Sequence, residues 1–416
     1  MIRAQDFSQS RRFGALAFLL VAYFFYAWSW NTVDILRPYI KASLGLTDLE
    51  AGSAYTLQSA GAIVGAVVMG QVADKIGRRN ALVISMVGYG LGLLGALAVA
   101  DYTGLMIQRI VLGFFMGSMF PIAVGIYSGL FARDVRGVIA GIVFMIYNIA
   151  VATLGFMSAA AFKAGFDWKV LLWAGGVPVA IALFAFLVIP DDRHFIPMDG
   201  ASDDEAVAKS KLPITELFKP GVAKQTLMLA TMTGLNFFAY QAFTGWASTY
   251  LKEDRAIPDT VVGDVLGWQF IGAAVGGLVW GYISDHYCRR NAAWGFVAAA
   301  AIIPVYLFVP MPIGLLELTG FTYGMMLSCS ASWGPWLSEL YPPHLRSTAA
   351  SIFNWGRVIS MTAPLITAPL ADNFGRAPVM SLASVSFLAA AFIWLRLPET
   401  VVRKTERNGE KLWPNG

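Results

Sequence analysis

The sequence predicts an all-α membrane protein with twelve transmembrane helices in two pseudo-symmetric bundles of six. Hydrophobic residues make up 57% of the 416 residues and charged residues only 13%, an apolar share above that of ordinary soluble domains. Apolar stretches of roughly 20 residues, the length that crosses a bilayer as a helix, follow one another from Phe13 to Leu397. A loop sequence that recurs in the second half of the chain predicts that both bundles share one orientation.

The twelve predicted spans follow the apolar stretches in chain order. They are Phe13–Ile40, Leu49–Ala73, Ala81–Ala100, Gly104–Gly129, Gly137–Ala161, Lys169–Ile189, Val222–Leu251, Val261–Ser284, Ala292–Pro310, Ile313–Ser338, Thr348–Ala371 and Val379–Leu397. The first span is too long for the core of a signal peptide and runs directly into the next one, so we expect it to remain in the mature protein.

One long polar segment divides the chain. Residues 190–221 are rich in Asp, Lys and Pro, so we predict an N-terminal bundle at 1–189, a cytoplasmic linker at 190–221, and a C-terminal bundle with a short tail at 222–416. Most of the 30 Lys and Arg residues fall on the side that holds both termini. Because basic residues favour the cytoplasmic side, we expect both termini in the cytoplasm and the protein in the plasma membrane, which in a bacterium is the inner membrane.

Several classes of function are disfavoured. The net charge of +4 follows from the loop bias and forms no basic stripe of the kind that binds nucleic acid. Cys288 and Cys329 lie in different environments and predict no disulfide. No cluster of His, Cys and carboxylate indicates a metal, and no catalytic motif is present, so we expect neither a cofactor nor an enzyme.

One turn motif occurs twice at matching positions of the two halves. Its residues are Gly70, Asp74, Arg78 and Arg79 after the second span, and Gly281, Asp285, Arg289 and Arg290 after the eighth. This pattern resembles the signature turn of the major facilitator superfamily, and the resemblance covers essentially the whole chain. We expect the glycines to allow close helix approach and the charged residues to gate the cytoplasmic face. The alternative is that the arginines only set topology.

Three further elements resemble the organic-anion proton symporters of that superfamily, the aromatic-acid and sialate branches. They are Asn31-Thr-Val-Asp34 in the first span, Arg109-x3-Gly113-x3-Gly117 in the fourth, and Gly356-Arg357 followed by Pro364 in the eleventh. Asn31 stands where the family motif has an aspartate. The ending Leu397-Pro-Glu-Thr400 also resembles sugar and organic-acid transporters.

Charged residues at membrane depth are the main candidates for a functional site, because lipid does not tolerate them. Arg109 and Arg357 come from opposite halves and are predicted to bind an anionic substrate. The alternative is an internal ion pair of Arg109 with Glu317 or Asp34. Asp34 is the candidate proton carrier, because a buried carboxylate can load and release protons. Arg37 lies one turn away, so a salt bridge near the outer mouth is the alternative role for this pair.

Polar side chains on other spans complete the predicted substrate site. They are Asn31, Asn148, Asn236, Tyr240, Gln241 and Asn354. Hydrogen bonding between helices is the alternative explanation for each of them.

Together these features predict a secondary active transporter that takes up a small organic acid with protons by alternating access. An aromatic acid, a sugar acid or a sialate-like compound is expected, and the proton gradient replaces a cofactor. The alternatives are a neutral sugar or metabolite porter and a proton-coupled drug exporter. The expected partners are an anionic small molecule, protons and the lipid bilayer, with no nucleic acid, and we expect a monomer.

Overall fold

Twelve helical segments make up nearly all of the computed structural model. It describes residues 2–196, 198, 216–286, 289–333, 336, 340, 341 and 352–400, and within these ranges the side chains of Ile2, Arg133, Asp134, Asp285, Phe353 and Asn354 are not described. The N-terminal half contains α1 (Gln9–Ile35), α2 (Asp48–Ile76), α3 (Arg78–Gly95), α4 (Tyr102–Leu130), α5 (Arg133–Lys163) and α6 (Trp168–Val188).

The C-terminal half repeats this arrangement. It contains α7 (Ala223–Thr249), α8 (Asp259–His286), α9 (Ala293–Phe308), α10 (Ile313–Leu327), α11 (Ile352–Ser360 and Ala363–Phe374) and α12 (Arg376–Arg396). Within the described residues, nine helices are long and apolar enough to cross a membrane. The remaining three are α7, α10 and α11. Each of the twelve predicted spans therefore corresponds to a described helix or pair of helices.

Polar residues at the loop ends determine where several helices begin. The Thr47 hydroxyl accepts a hydrogen bond from the Glu50 amide at 3.2 Å, and the Glu50 carboxylate accepts one from the Thr47 amide at 2.8 Å. This capping box satisfies amides at the start of α2 that have no partner inside the helix. Asp101 accepts from the Gly104 amide at 2.7 Å and begins α4 in the same way.

Glycines bring α2 against α4, and α8 against α10. A Cβ atom on Gly61 or Gly113 would overlap main-chain oxygens of the facing helix, as would one on Gly272 or Gly324. This close packing occurs at equivalent places in the two halves.

The two ends of the bundle differ. The terminal face carries the short parallel strands β1 (Ile2–Arg3) and β2 (Phe195–Ile196), which pair with each other, and the turns between α2 and α3 and between α8 and α9. The opposite face carries the short helix Arg37–Leu44 and the loops that precede α8, α10 and α12.

Large apolar side chains cover the outer surface of the helices. Leu183 and Leu187 of α6 are 67% and 75% exposed, and Val67 of α2 is 61% exposed. Such exposure is expected where the surrounding solvent is lipid, so polar residues that are buried inside the bundle need a separate explanation.

Candidate functional site

Arg109 lies inside the N-terminal half, and the glycines after it explain how it reaches its partners. Gly113 and Gly117 face main-chain atoms of α2, so α4 lies close to α2 along this stretch. The Arg109 guanidinium donates to the Gln58 side-chain oxygen at 3.1 Å and to the Thr32 hydroxyl at 3.2 Å. Arg109 is 1% exposed, so a fixed positive charge is buried between α1, α2 and α4.

The alternative role of Arg109, an ion pair with Glu317 or Asp34, is not found among the described residues of this structure. Among the described residues, the hydrogen bonds of Arg109 go to the neutral groups of Thr32 and Gln58, and neither carboxylate forms a salt bridge with it. Asp34 pairs with Arg37 instead. Arg109 therefore keeps a charge that neutral hydrogen bonds hold in place but do not neutralise.

Asp34 lies at the end of α1, where the helix breaks at Leu36 and resumes as the helix Arg37–Leu44. The Arg37 guanidinium donates to Asp34 Oδ1 at 2.7 Å, and both side chains are buried. Gln241 of α7 donates to the same oxygen at 3.0 Å. Arg37 also lies 4.5 Å from the ring centre of Trp246 on α7. The predicted pair of Asp34 and Arg37 is therefore present, and it contacts the other half of the molecule.

Arg357 is the predicted cation of the C-terminal half. It is half-buried on the first part of α11, and its guanidinium lies 5.0 Å from the ring centre of Trp30. The phenol groups of Tyr26, Tyr55 and Tyr147 surround it. Within the described part of the chain, Arg357 forms no salt bridge with a carboxylate.

The aromatic side chains near Arg357 form one cluster at the interface of the halves. Tyr26 lies 6.2 Å from Trp30 and 6.3 Å from Tyr147, and Trp30 lies 6.5 Å from Tyr55, measured between ring centres. Asn31 donates to the Tyr147 hydroxyl at 2.9 Å. Asn31, which replaces the first aspartate of the family motif, therefore orients this cluster and adds no charge to it.

The remaining predicted contacts differ in their surroundings. Asn148 donates to the Phe144 carbonyl of its own helix at 2.9 Å. Asn236 is 6% exposed, and its side-chain oxygen has no hydrogen-bond partner in the part of the chain that the structure describes. Tyr240 is half-buried among Tyr147, Asp34, Tyr323 and Tyr55. The side chain of Asn354 lies outside the described residues.

Gly70 and Gly281 do not bring helices together, which corrects the sequence-based expectation. A Cβ atom at either position would meet nothing within 4 Å. Asp74 is exposed, and the side chain of Asp285 lies outside the described residues.

The first arginine pair binds the segment that follows α6. Arg78 donates from its amide to Asp192 at 2.9 Å and from its guanidinium to the Gly125 carbonyl at 3.1 Å. Arg79 donates to Asp191 at 3.0 Å. Hydrogen bonds from Arg193 hold the pKa of the Asp191 carboxyl well below its ordinary value against partial burial, and Arg79 adds to the effect.

The second arginine pair makes equivalent contacts in the C-terminal half. The amides of Arg289 and Arg290 both donate to the Glu399 carboxylate at 3.0 Å. Arg290 also donates to the Leu395 carbonyl at 2.7 Å. An acidic residue one or two positions after a proline at the end of the sixth helix of each half, Asp192 or Glu399, therefore caps the start of the third helix. The repeat of Pro190-Asp191-Asp192 as Pro398-Glu399 is the signal that would have revealed this.

A network of charges that the sequence did not predict closes the opposite face. Lys41 lies 2.6 Å from Asp48 and 2.9 Å from Glu253. Arg376 lies 2.7 Å from Asp48 and 2.9 Å from Glu253, and it also binds Asp254. We call these five residues the opposite-face network. Lys41 and Asp48 belong to the N-terminal half and the other three to the C-terminal half, so the network ties the halves together.

Uncharged contacts between the halves lie next to this network. The Ser248 hydroxyl donates to the Ile35 carbonyl at 2.6 Å, and the Thr56 hydroxyl donates to the Met361 carbonyl at 2.7 Å. Both carbonyls lie where a helix ends or breaks, so they lack a donor from their own helix. In the described ranges, the side-chain hydrogen bonds and salt bridges between the transmembrane helices of the two halves lie in the part of the bundle nearer the opposite face.

Comparison with known proteins identifies the family. The sequence model that describes the Major Facilitator Superfamily matches residues 19–363 of this chain and, in a second match, residues 229–413. The chain belongs to the Major Facilitator Superfamily. The predicted fold and the prediction of a multi-pass membrane transporter rather than an enzyme are thereby confirmed.

Individual relatives agree with the predicted branch of the superfamily. The chain is 25% identical over 92% of its length to a probable 4-methylmuconolactone transporter of Cupriavidus pinatubonensis, of which 91% is covered. It is 24% identical over 86% of its length to the 4-hydroxybenzoate transporter PcaK of Acinetobacter baylyi, of which 85% is covered. A solved bacterial homologue of the human lysosomal transporter Spinster superposes with a TM-score of 0.78 at 14% identity, covering 94% of this chain and 97% of that one.

Proposed function

We propose that this transporter carries a small organic acid whose carboxylate binds Arg357. The observation that carries the proposal is the position of Arg357, a half-buried arginine at membrane depth that faces aromatic rings and has no carboxylate partner in the described chain. A guanidinium presents a planar set of donors that matches a carboxylate. Trp30, Tyr26 and Tyr147 offer flat apolar surface and hydroxyl groups to the rest of such a molecule.

The balance of buried charge supports an anionic substrate. Arg37, Arg109 and Arg357 carry positive charge inside the bundle, whereas among the described residues the carboxylates near them are Asp34, which pairs with Arg37, and Asp48, which lies near Arg37. An unbalanced cation is unfavourable in a low-dielectric interior, so a bound anion would offset part of the excess. The relatives named for 4-hydroxybenzoate and 4-methylmuconolactone are consistent with a substrate of this class.

The mechanism we propose is alternating access with protons as the coupled ion. Basic loop residues such as Arg78 and Arg290 concentrate on the terminal face, which supports a cytoplasmic location for both termini. The opposite face would then be the outer face, which the opposite-face network closes in this structure. Asp34 is the proposed proton carrier, because it is buried and joins Arg37 to α7.

The test is uptake of labelled 4-hydroxybenzoate into proteoliposomes, with and without an imposed proton gradient. We expect Arg357→Gln to raise the KM about 10- to 100-fold, because a charged hydrogen bond contributes roughly 1.5–3 kcal/mol. We expect Asp34→Asn to abolish the response to the gradient. Arg396→Gln is the matched control, because Arg396 lies exposed over the Phe392 ring at the terminal end of α12.

Each outcome distinguishes between the candidate functions. An unchanged KM in Arg357→Gln contradicts the carboxylate site. D-xylose uptake that survives this substitution favours the neutral sugar porter. Uptake that responds equally to the gradient in the wild type and in Asp34→Asn contradicts the proton role of Asp34.

A further inference from the structure

The Asp34 carboxylate accepts two hydrogen bonds, one from its own half of the protein and one from the other half. Its Oδ1 atom accepts from Arg37 at 2.7 Å, within the N-terminal half, and from Gln241 at 3.0 Å, across the interface. Gln241 belongs to α7 and is fully buried. One oxygen of the carboxylate therefore carries both the internal ion pair and the link between the halves.

Two acceptor oxygens at this contact have no hydrogen-bond partner among the described residues. They are Asp34 Oδ2 and Gln241 Oε1, and both are buried. When Asp34 is ionised, both atoms are acceptors and cannot bond to each other. A proton on Asp34 Oδ2 turns that oxygen into a donor. A carboxylic acid and a primary amide can then form a ring with two hydrogen bonds, Nε2–H to Oδ1 and Oδ2–H to Oε1.

We propose that Gln241 senses the protonation state of Asp34 across the interface of the two halves, so that loading of the proton favours closure of the opposite face. Gln241 is a positioning residue in this scheme, and the scheme rests on the proposed role of Asp34 as proton carrier. Protonation adds a bond between the halves without breaking the existing one. Loss of the proton leaves two buried acceptors without partners, which weakens the closed state.

The charged and titratable groups around Asp34 fit this scheme. Arg37, Arg109, Tyr55 and Tyr240 face it, so Asp34 is the carboxyl group of this set. Arg37 does not depend on Asp34 alone, because its guanidinium lies over the Trp246 ring of α7. Arg37 can therefore remain at the interface when Asp34 becomes neutral.

The experiment measures the distance between the halves at the opposite face without substrate and without a gradient. Spin labels at Phe166→Cys and Ile313→Cys lie on exposed positions of the two halves, in a chain that also carries Cys288→Ser and Cys329→Ala. In lipid nanodiscs, we expect the labelled protein with wild-type Asp34 and Gln241 to show a population that is closed at the opposite face. This population should decrease as the pH rises.

Four variants test the link. Gln241→Leu should lower the ratio of closed to open molecules at low pH about tenfold, which corresponds to the loss of one charged or buried hydrogen bond. Asp34→Asn should remain closed at every pH, because its amide and that of Gln241 can form a ring with two hydrogen bonds. The double variant Asp34→Asn with Gln241→Leu should lose this closed state, because the ring cannot form. Gln269→Leu is the matched control, since Gln269 is a buried glutamine whose Oε1 also lacks a partner but whose amide bonds Thr244 within its own half.

The results separate this inference from the proposed function. If Gln241→Leu keeps the wild-type pH response while Asp34→Asn abolishes it, the sensing role of Gln241 is wrong and Asp34 still carries the proton. If Asp34→Asn keeps the wild-type response, the proton role itself is wrong. Should Gln241→Leu fail to fold, Gln241→Asn replaces it, because it keeps an amide but is too short to close the ring. We expect the same decrease in the ratio of closed to open molecules at low pH.

Discussion

Substitution of Arg376 tests whether the opposite-face network holds the two halves together. The Arg376 side chain is 10% exposed, and its bond to Asp48 at 2.7 Å crosses between the halves, as does the bond of Lys41 to Glu253. Arg376→Gln keeps much of the side chain and removes the charge. Partly exposed ion pairs contribute roughly 0.2–1 kcal/mol, and a guanidinium shared within a network lies near the upper end. A loss of about 1 kcal/mol lowers the ratio of closed to open molecules about fivefold.

The labelled pair at Phe166 and Ile313 measures this ratio at a fixed pH. A double-mutant cycle with Asp48→Asn isolates the contact, because the two substitutions together should cost less than the sum of their separate effects. Raising the salt concentration to about 1 M shortens the screening length to roughly 3 Å and should open the wild type more than Arg376→Gln. An unchanged ratio in Arg376→Gln, or strictly additive effects in the cycle, would refute the idea that this contact holds the face closed.

Three further predictions concern stability. Gly113→Ala should lower the melting temperature, because its Cβ would overlap a main-chain oxygen of α2, whereas Gly137→Ala, which faces open space, should not; equal shifts would argue against this packing. Glu399→Gln should destabilise the folded protein by about 1 kcal/mol in a denaturant titration, since two amides at the start of the third helix of the C-terminal half lose a charged acceptor, and no change would exclude the cap. The pKa of Asp191 is lowered by its bonds to Arg193, so its contribution is present at neutral pH and is lost as the pH falls below about 4; Asp191→Asn should show a smaller acid-induced drop in melting temperature.

The sequence predicted the helices well because the length of an apolar stretch is a property of the chain alone. The sequence also identified Arg109 and Asp34 as charged residues inside the bundle, since a charge within an apolar span is recognisable before any packing is known. The partners of Arg109 were not predictable, because Gln58 and Thr32 are ordinary polar residues whose role depends on how closely α2 and α4 approach. The approach itself is set by Gly113.

Charges near the ends of the spans were harder to interpret. Lys41, Asp48 and Arg376 lie at the edges of apolar stretches, where charged residues are common and usually solvated. Their pairing depends on how the two halves meet, which no local pattern encodes. The expectation for Gly70 failed for a related reason: a motif position indicates that a residue matters to a family, but the facing atoms decide what it does.

In the proposed mechanism the closed state has to reopen, and the division of contacts in this molecule explains how it can. Each half is held internally by close glycine packing and by the acidic caps at Asp192 and Glu399, which do not involve the other half. Between the halves, α5 and α8 meet at Gly155 and Gly263. Because these residues have no side chain, the angle between the two helices can change with little side-chain rearrangement. The polar contacts across the interface each contribute roughly 0.5–1.5 kcal/mol. Inverting a 1:99 population requires about 5.5 kcal/mol, so in the proposed mechanism no single contact is sufficient and several would have to respond together to a proton and a substrate.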